Sequence, residues 1–132
     1  MNDGQNIFGF ANPEALFCSV RTYHESFSSL SIRVHQDTFE PPLYWLGFTG
    51  VAYFSGMMFW KGADFRIGTQ NELTSFLQEL GYSLLQIRKT MIPLKHKLYI
   101  VDAIRPQAEE QTPFQVRIYA YDYGIEQVAP EA

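Results

Sequence analysis

From Pro41 to Trp60 no side chain carries a charge: PPLYWLGFTGVAYFSGMMFW separates Glu40 from Lys61. These twenty residues hold seven aromatics and three glycines. So much apolar surface has to be hidden by the chain's own fold, by a partner or by a membrane. The length suits a membrane span, which needs about twenty apolar residues. The composition does not: the stretch has two leucines, one valine and no isoleucine, opens on Pro41-Pro42 and is interrupted by Gly47, Gly50 and Gly56. Tyr53 would also sit near the bilayer centre, whereas Tyr and Trp favour the interfaces. No membrane association is expected.

A pair of short strands fits better. Phe48-Thr49-Gly50 supplies a place to turn or bulge, with β-formers on both sides. Within 51–60 the odd positions give Val51, Tyr53, Met57 and Phe59, and the even ones Ala52, Phe54, Met58 and Trp60. Both faces are apolar, as in a strand covered on both sides. Glycine recurs at 50, 56, 62 and 68, with an aromatic three residues on at Tyr53, Phe59 and Phe65. On one continuous strand that even spacing would align the three rings on one face.

Elsewhere the patterns are ordinary. Residues 16–24 and 30–35 alternate, so Leu16, Cys18, Val20 and Thr22 share a face with Leu30, Ile32 and Val34, and Glu25 to Ser29 form a hairpin loop. Residues 69–81 predict a helix: Thr69 and Glu72 form a capping box, Leu73, Phe76, Leu77 and Leu80 make an apolar stripe, and Gly81 is a stop. A stripe continuing through Leu84, Ile87 and Met91 would carry the helix to Pro93, at a cost of about 1 kcal/mol for the interior glycine; the stop is favoured. Further strands are expected near 83–91, 97–105 and 114–123, with Phe114, Val116, Ile118 and Ala120 inward. The loop 106–113 is long and acidic. Residues 1–12 are expected to be flexible and 125–132 weakly ordered.

The fold class expected is α+β: a strongly curved, mostly antiparallel sheet of about seven or eight strands, with one amphipathic helix (about 70–80) packed on it, in a single domain spanning 1–132. A helix of about twelve residues is only about 18 Å long. It covers part of one face, so the aromatic strand needs the sheet to curl, a second copy, or a ligand.

The net charge of −4 disfavours nucleic acid as a partner. Cys18 is the single cysteine, so no internal disulfide forms, and no basic residue precedes Arg21 to make a signal peptide; a cytoplasmic location is expected. Cys18 and His35 fall on opposite faces of the hairpin, and no ligand spacing around His24, His35 or Cys18 suggests a metal or cofactor site. Asp102, between Ile100 and Ile104, is the carboxylate with an apolar setting, and a structural role is the simpler reading. Arg88, Lys89, Lys95 and Lys97 would meet at one end of a hairpin if 83–91 paired with 97–105, a candidate anion site. Arg21, Arg33, Arg117, Tyr119, Tyr121 and Tyr123 suggest an Arg/Tyr sheet face.

The function read from these features is a small non-catalytic protein-interaction domain, a homodimer built on the aromatic segment 43–60. Trp45, Tyr53, Phe54, Met57, Met58, Phe59 and Trp60 are its contact residues, since interface cores favour these types. A curved sheet binding a small apolar or aromatic ligand is the alternative, and an enzyme of unidentified class is the third.

Overall fold

The computed structural model describes residues 6–24, 29–37, 40–86, 96–106 and 113–128. Among them run nine strands: β1 (Phe17–His24), β2 (Ser29–His35), β3 (Pro42–Thr49), β4 (Tyr53–Ser55), β5 (Phe59–Lys61), β6 (Arg66–Ile67), β7 (Lys97–Ala103), β8 (Phe114–Ala120) and β9 (Asp122–Gln127). They form two antiparallel sheets, ordered β5-β1-β2-β3-β9 and β4-β8-β7-β6, and neither closes on itself. The helix α1 (Gln70–Glu79) lies on the smaller sheet. The fold is therefore α+β with curved antiparallel strands, arranged in two layers rather than in one.

In β1 and β2, Cys18 stands opposite Val34 and Val20 opposite Ile32. Cys18, Leu30, Ile32 and Val34 are sealed inside. The register slips between Val20 and Thr22. An extra residue reverses the alternation, which leaves Thr22 exposed instead of inward as its spacing predicts.

The uncharged stretch changes sheets twice, and this resolves its two apolar faces. β3 pairs with β9 in the larger sheet, with Thr49 opposite Asp122. β4 pairs with β8 in the smaller one, with Tyr53 opposite Tyr119. The two ladders are one long ribbon bent at a corner. Gly50 makes the corner at φ +62°, where an added Cβ would lie 2.8 Å from the Cβ of Tyr121, so only glycine fits. The ring of His96 packs 5.2 Å from Tyr119, and its Nε2 lies 3.1 Å from the Gly50 carbonyl oxygen. After β4 the chain crosses back to β5. A second corner follows, where Lys61 and Ile104 exchange backbone hydrogen bonds of 3.0 Å. Tyr53 and Phe59 thus belong to different sheets and Phe65 to no strand; the glycine–aromatic spacing marks corners, not a shared face.

Between the layers pack Leu46, Phe48, Trp60, Phe65, Tyr99, Val116 and Ile118, among others. Burying a side chain of this size contributes about 1.5–3 kcal/mol. On the other face of the smaller sheet, Phe76 and Leu77 of α1 close over Leu98, Ile100 and Tyr119, with Tyr53 at the margin. Inside cover by the larger sheet and outside cover by α1 is what β4 needs.

The helix begins as its sequence dictates. The Glu72 N–H donates to Thr69 Oγ1 (3.2 Å), and the Thr69 N–H donates to Glu72 Oε1 (2.9 Å). Arg66 also grips both Glu72 oxygens, at 2.7 and 2.9 Å, which holds the Glu72 carboxyl well down, at about 2. The helix stops at Gly81 (φ +101°), whose N–H donates to Gln78 O while the Tyr82 N–H reaches Leu77 O. That pair of hydrogen bonds is a Schellman stop, and it decides against an unbroken helix to Pro93.

Four segments differ from the sequence reading or extend it. Leu84–Gln86 is a helical turn, not the start of a strand, because Ser83 and Gln86 cap each other reciprocally. Among the described residues β7 has β6 and β8 on its two sides; residues 87–91, and with them most of the expected strand 83–91, lie outside the described part. The segment after Tyr123 is β9, extended by a Val128 N–H bond to Leu43 O of 2.9 Å. Residues 6–12 pack on the core: the Ile7 N–H donates to Phe65 O (2.8 Å), and Phe8 meets Phe48, Phe65 and Tyr123 edge-on. Residues 1–5 and 129–132 lie outside the described part.

Candidate functional site: an uncharged cleft under the N-terminal strap

The strap 6–12 is shaped by its own polar groups. The Gly9 N–H donates to Asn6 O (3.0 Å), and Asn6 Nδ2 donates to Phe10 O (2.6 Å). Gly9 sits at φ +76°, a turn that costs glycine little. It sends Phe8 into the interlayer core and Phe10 against Tyr44, with ring centroids 5.1 Å apart. Pro13 then opens a 3-10 turn (Pro13–Ala15) that leads into β1.

Between the strap, this turn and the near ends of β2 and β3 lies a half-open cleft of about 620 Å³. Phe8, Phe10, Leu16, Leu43 and Tyr44 give it apolar walls, and Asn12 and Gln36 give it amides. The Asn12 side chain does not cap the turn that follows it. None of the lining residues carries a charge. A volume within about 300–1,000 Å³, apolar walls and a few neutral polar groups are the usual properties of a small-molecule site.

The residues named from sequence as contacts do not gather. Trp60 is 0% exposed in the interlayer core, its Nε1 donating to Gly62 O (2.8 Å). Phe54 packs against that core, and Tyr53 lies under α1, 4.9 Å from the Phe76 ring. Trp45 is half-buried on the outer face of the larger sheet, with the Arg21 guanidinium 3.9 Å over its ring. Phe59 stacks on Phe17 at 6.0 Å. Met57 and Met58 are exposed, by 38% and 66%. Of the candidate anion site, Lys97 is exposed opposite Ala120, and Arg88, Lys89 and Lys95 lie outside the described residues. The Arg/Tyr face does not form: Tyr119 is under α1, Tyr123 packs on the interlayer core and Arg117 is paired with Glu79 at 2.9 Å.

The catalytic candidates fare as follows. Cys18 is fully buried, and burial pushes its thiol far up, so it is inert. Ser19 Oγ lies 3.1 Å from His35 Nε2, and His35 Nδ1 lies 3.0 Å from the Glu40 carbonyl. This nucleophile–base contact sits on a sheet face whose backbone N–H groups serve the ladders of β1 with β2 and β5. Among the described residues no free backbone donors stand beside it to stabilise an oxyanion. Asp102 is exposed opposite Gln115. Asp64 is raised, first by desolvation and then by Asp102 and Glu14. Among the described residues no cluster of His, Cys, Asp or Glu could hold a metal, and no helix is long and apolar enough to cross a membrane.

The cleft is not legible in the sequence, where its roof, residues 6–12, reads as a flexible terminus. The available signal was Phe8-Gly9-Phe10: two large rings around one glycine are costly to leave in water. No protein-family model, curated protein or solved structure matches the chain.

Proposed function

We propose that this chain is a small non-catalytic binding domain for a neutral, apolar or aromatic small molecule seated under the N-terminal strap. The observation that carries the reading is the cleft of about 620 Å³ whose lining is uncharged. A charged ligand would enter without a counter-charge, at high desolvation cost; a neutral ring system meets Phe10 and Tyr44, with Asn12 and Gln36 to orient a carbonyl or hydroxyl. A dimer built on 43–60 has less support, since Tyr53, Phe54 and Trp60 are covered within the monomer.

The test uses N-phenyl-1-naphthylamine, a neutral fluorescent probe. Saturable binding and a thermal shift are expected for the wild-type chain. Leu43→Arg and Ala15→Trp, at solvent-reaching positions on the cleft wall, should weaken binding by about tenfold, equivalent to about 1.4 kcal/mol. Met58→Arg should leave it unchanged. Absence of saturable binding, or equal affinity in all four proteins, sinks the reading.

A further inference from the structure

We propose that the outer edge of β9 joins two copies of this chain by antiparallel strand pairing about a two-fold axis at Ile125. β9 is the last strand of the larger sheet and pairs on one side with β3. Among the described residues the other outer strands are blunted: β4 and β5 have three residues each and β6 two, and β5 is tied to Ile104 beyond it. β9 has six. It carries neither lysine nor proline, the usual guards of an edge, and Ile125 is 45% exposed on it.

The register tells which groups are free to pair. Val128 donates to Leu43 across the ladder, and hydrogen-bonded positions alternate in an antiparallel pair. Asp122, Gly124 and Glu126 therefore turn their backbone groups toward β3. Tyr123, Ile125 and Gln127 turn theirs outward. The structure agrees at one end, where the Tyr123 N–H is taken by the Asp122 side chain instead of by β3 (2.8 Å).

Those outward groups are self-complementary. With the axis at Ile125, each Ile125 exchanges both its bonds with the other Ile125, and Gln127 meets the second copy's Tyr123. Four bonds form without disturbing Asp122, and two more if it lets go. Side chains fit as well. Glu126 comes opposite the second copy's Gly124, where the space above the backbone is open, and Asp122 comes opposite Val128, so no acid faces an acid across the seam. Gly124 and Gly47 lie side by side and floor a shallow trough of about 220 Å³ on the outer face, with Arg21 and the chain's own Glu126 among its walls. The carboxylate of the second copy's Glu126 would enter that trough toward the Arg21 guanidinium. The two-fold match of the outward backbone groups, the open space over Gly124 and the Arg21 cation that two Glu126 carboxylates can share select a second copy over an unrelated strand. The result is one ten-stranded sheet across the pair.

Two substitutions at one residue test it. Ile125→Pro removes an N–H that β3 does not use, so the monomer ladder survives. Ile125→Lys sets two cations face to face at the axis and leaves the backbone intact. Sedimentation equilibrium should show the wild-type chain passing to twice the monomer mass as concentration rises, with both variants monomeric and their far-ultraviolet circular dichroism unchanged. Hydrogen exchange at the Ile125 and Gln127 amides should slow in the associated form. A wild-type chain monomeric at its highest soluble concentration overturns the proposal. So does association that survives in Ile125→Lys, or associated protein with those amides unprotected. Binding of the neutral probe to Ile125→Lys keeps this test separate from that of the cleft.

Discussion

Replacing Trp60 by alanine asks whether the aromatic stretch serves the interior of one chain or the surface of two. Trp60 is the largest fully buried side chain, between the sheets, and it donates a 2.8 Å hydrogen bond to Gly62 O. Truncating a buried tryptophan costs about 3–5 kcal/mol through lost transfer energy and the cavity left behind. Losing the indole donor adds about 1 kcal/mol. The sum, about 4–6 kcal/mol, is a large part of the about 5–15 kcal/mol that stabilises a domain. With a urea slope near about 2 kcal/mol/M, the unfolding midpoint should fall by about 2–3 M. The companion Met58→Ala, at a residue 66% exposed, should move it by no more than about 0.5 kcal/mol. Urea titrations followed by circular dichroism, run at two widely spaced protein concentrations, supply the assay. If Trp60→Ala unfolds near the wild-type midpoint, or if its loss shows only at the concentration where the chain associates, the packing argument fails.

Two other expectations concern single residues. Arg66 and the helix start depress the Glu72 carboxyl to about 2 from an ordinary 4.5, so its stabilisation is complete above about 4.5 and is lost as pH falls toward 2; acid titration of Glu72→Gln should show a shallower decline over that window, and an unchanged slope would contradict the pairing. Gly62→Ala should cost more than Gly81→Ala in thermal unfolding: both have positive φ, but a Cβ at 62 would stand 2.6 Å from the Asp102 carbonyl oxygen whereas one at 81 meets nothing within 4 Å. Equal losses would remove the second corner's steric basis.

What the sequence revealed was whatever neighbouring residues decide among themselves. The Thr69–Glu72 box and the Gly81 stop are local bonds, and α1 has those ends. The alternation of β1 and β2 survives until the slip after Val20, which depends on partner strands. Ser83 and Gln86 carried an equally local capping signal, masked by the β-forming look of the residues around them. The change of sheet at Gly50 was hidden, because its reason is a contact with Tyr121, far along the chain. β9 was hidden too: an edge strand is held by backbone bonds, which leave little mark on the side chains. The two-faced strand does need cover on both sides, but its inner cover comes from β1, β2 and β3 of a second sheet, not from a curl of a single one. The cleft depends on the strap's packing, and the strap's seven residues have no periodicity to betray it.

The central claim is that one chain hides its own aromatic stretch. Its most direct test is acrylamide quenching of Trp60 in a Trp45→Phe background, where Trp60 is the single tryptophan left, at a dilution where the protein is monomeric by sedimentation. Blue-shifted emission that resists the quencher until urea unfolds the chain is the predicted result. Red-shifted emission, quenched as readily as that of the unfolded chain and protected only on concentration, would contradict it.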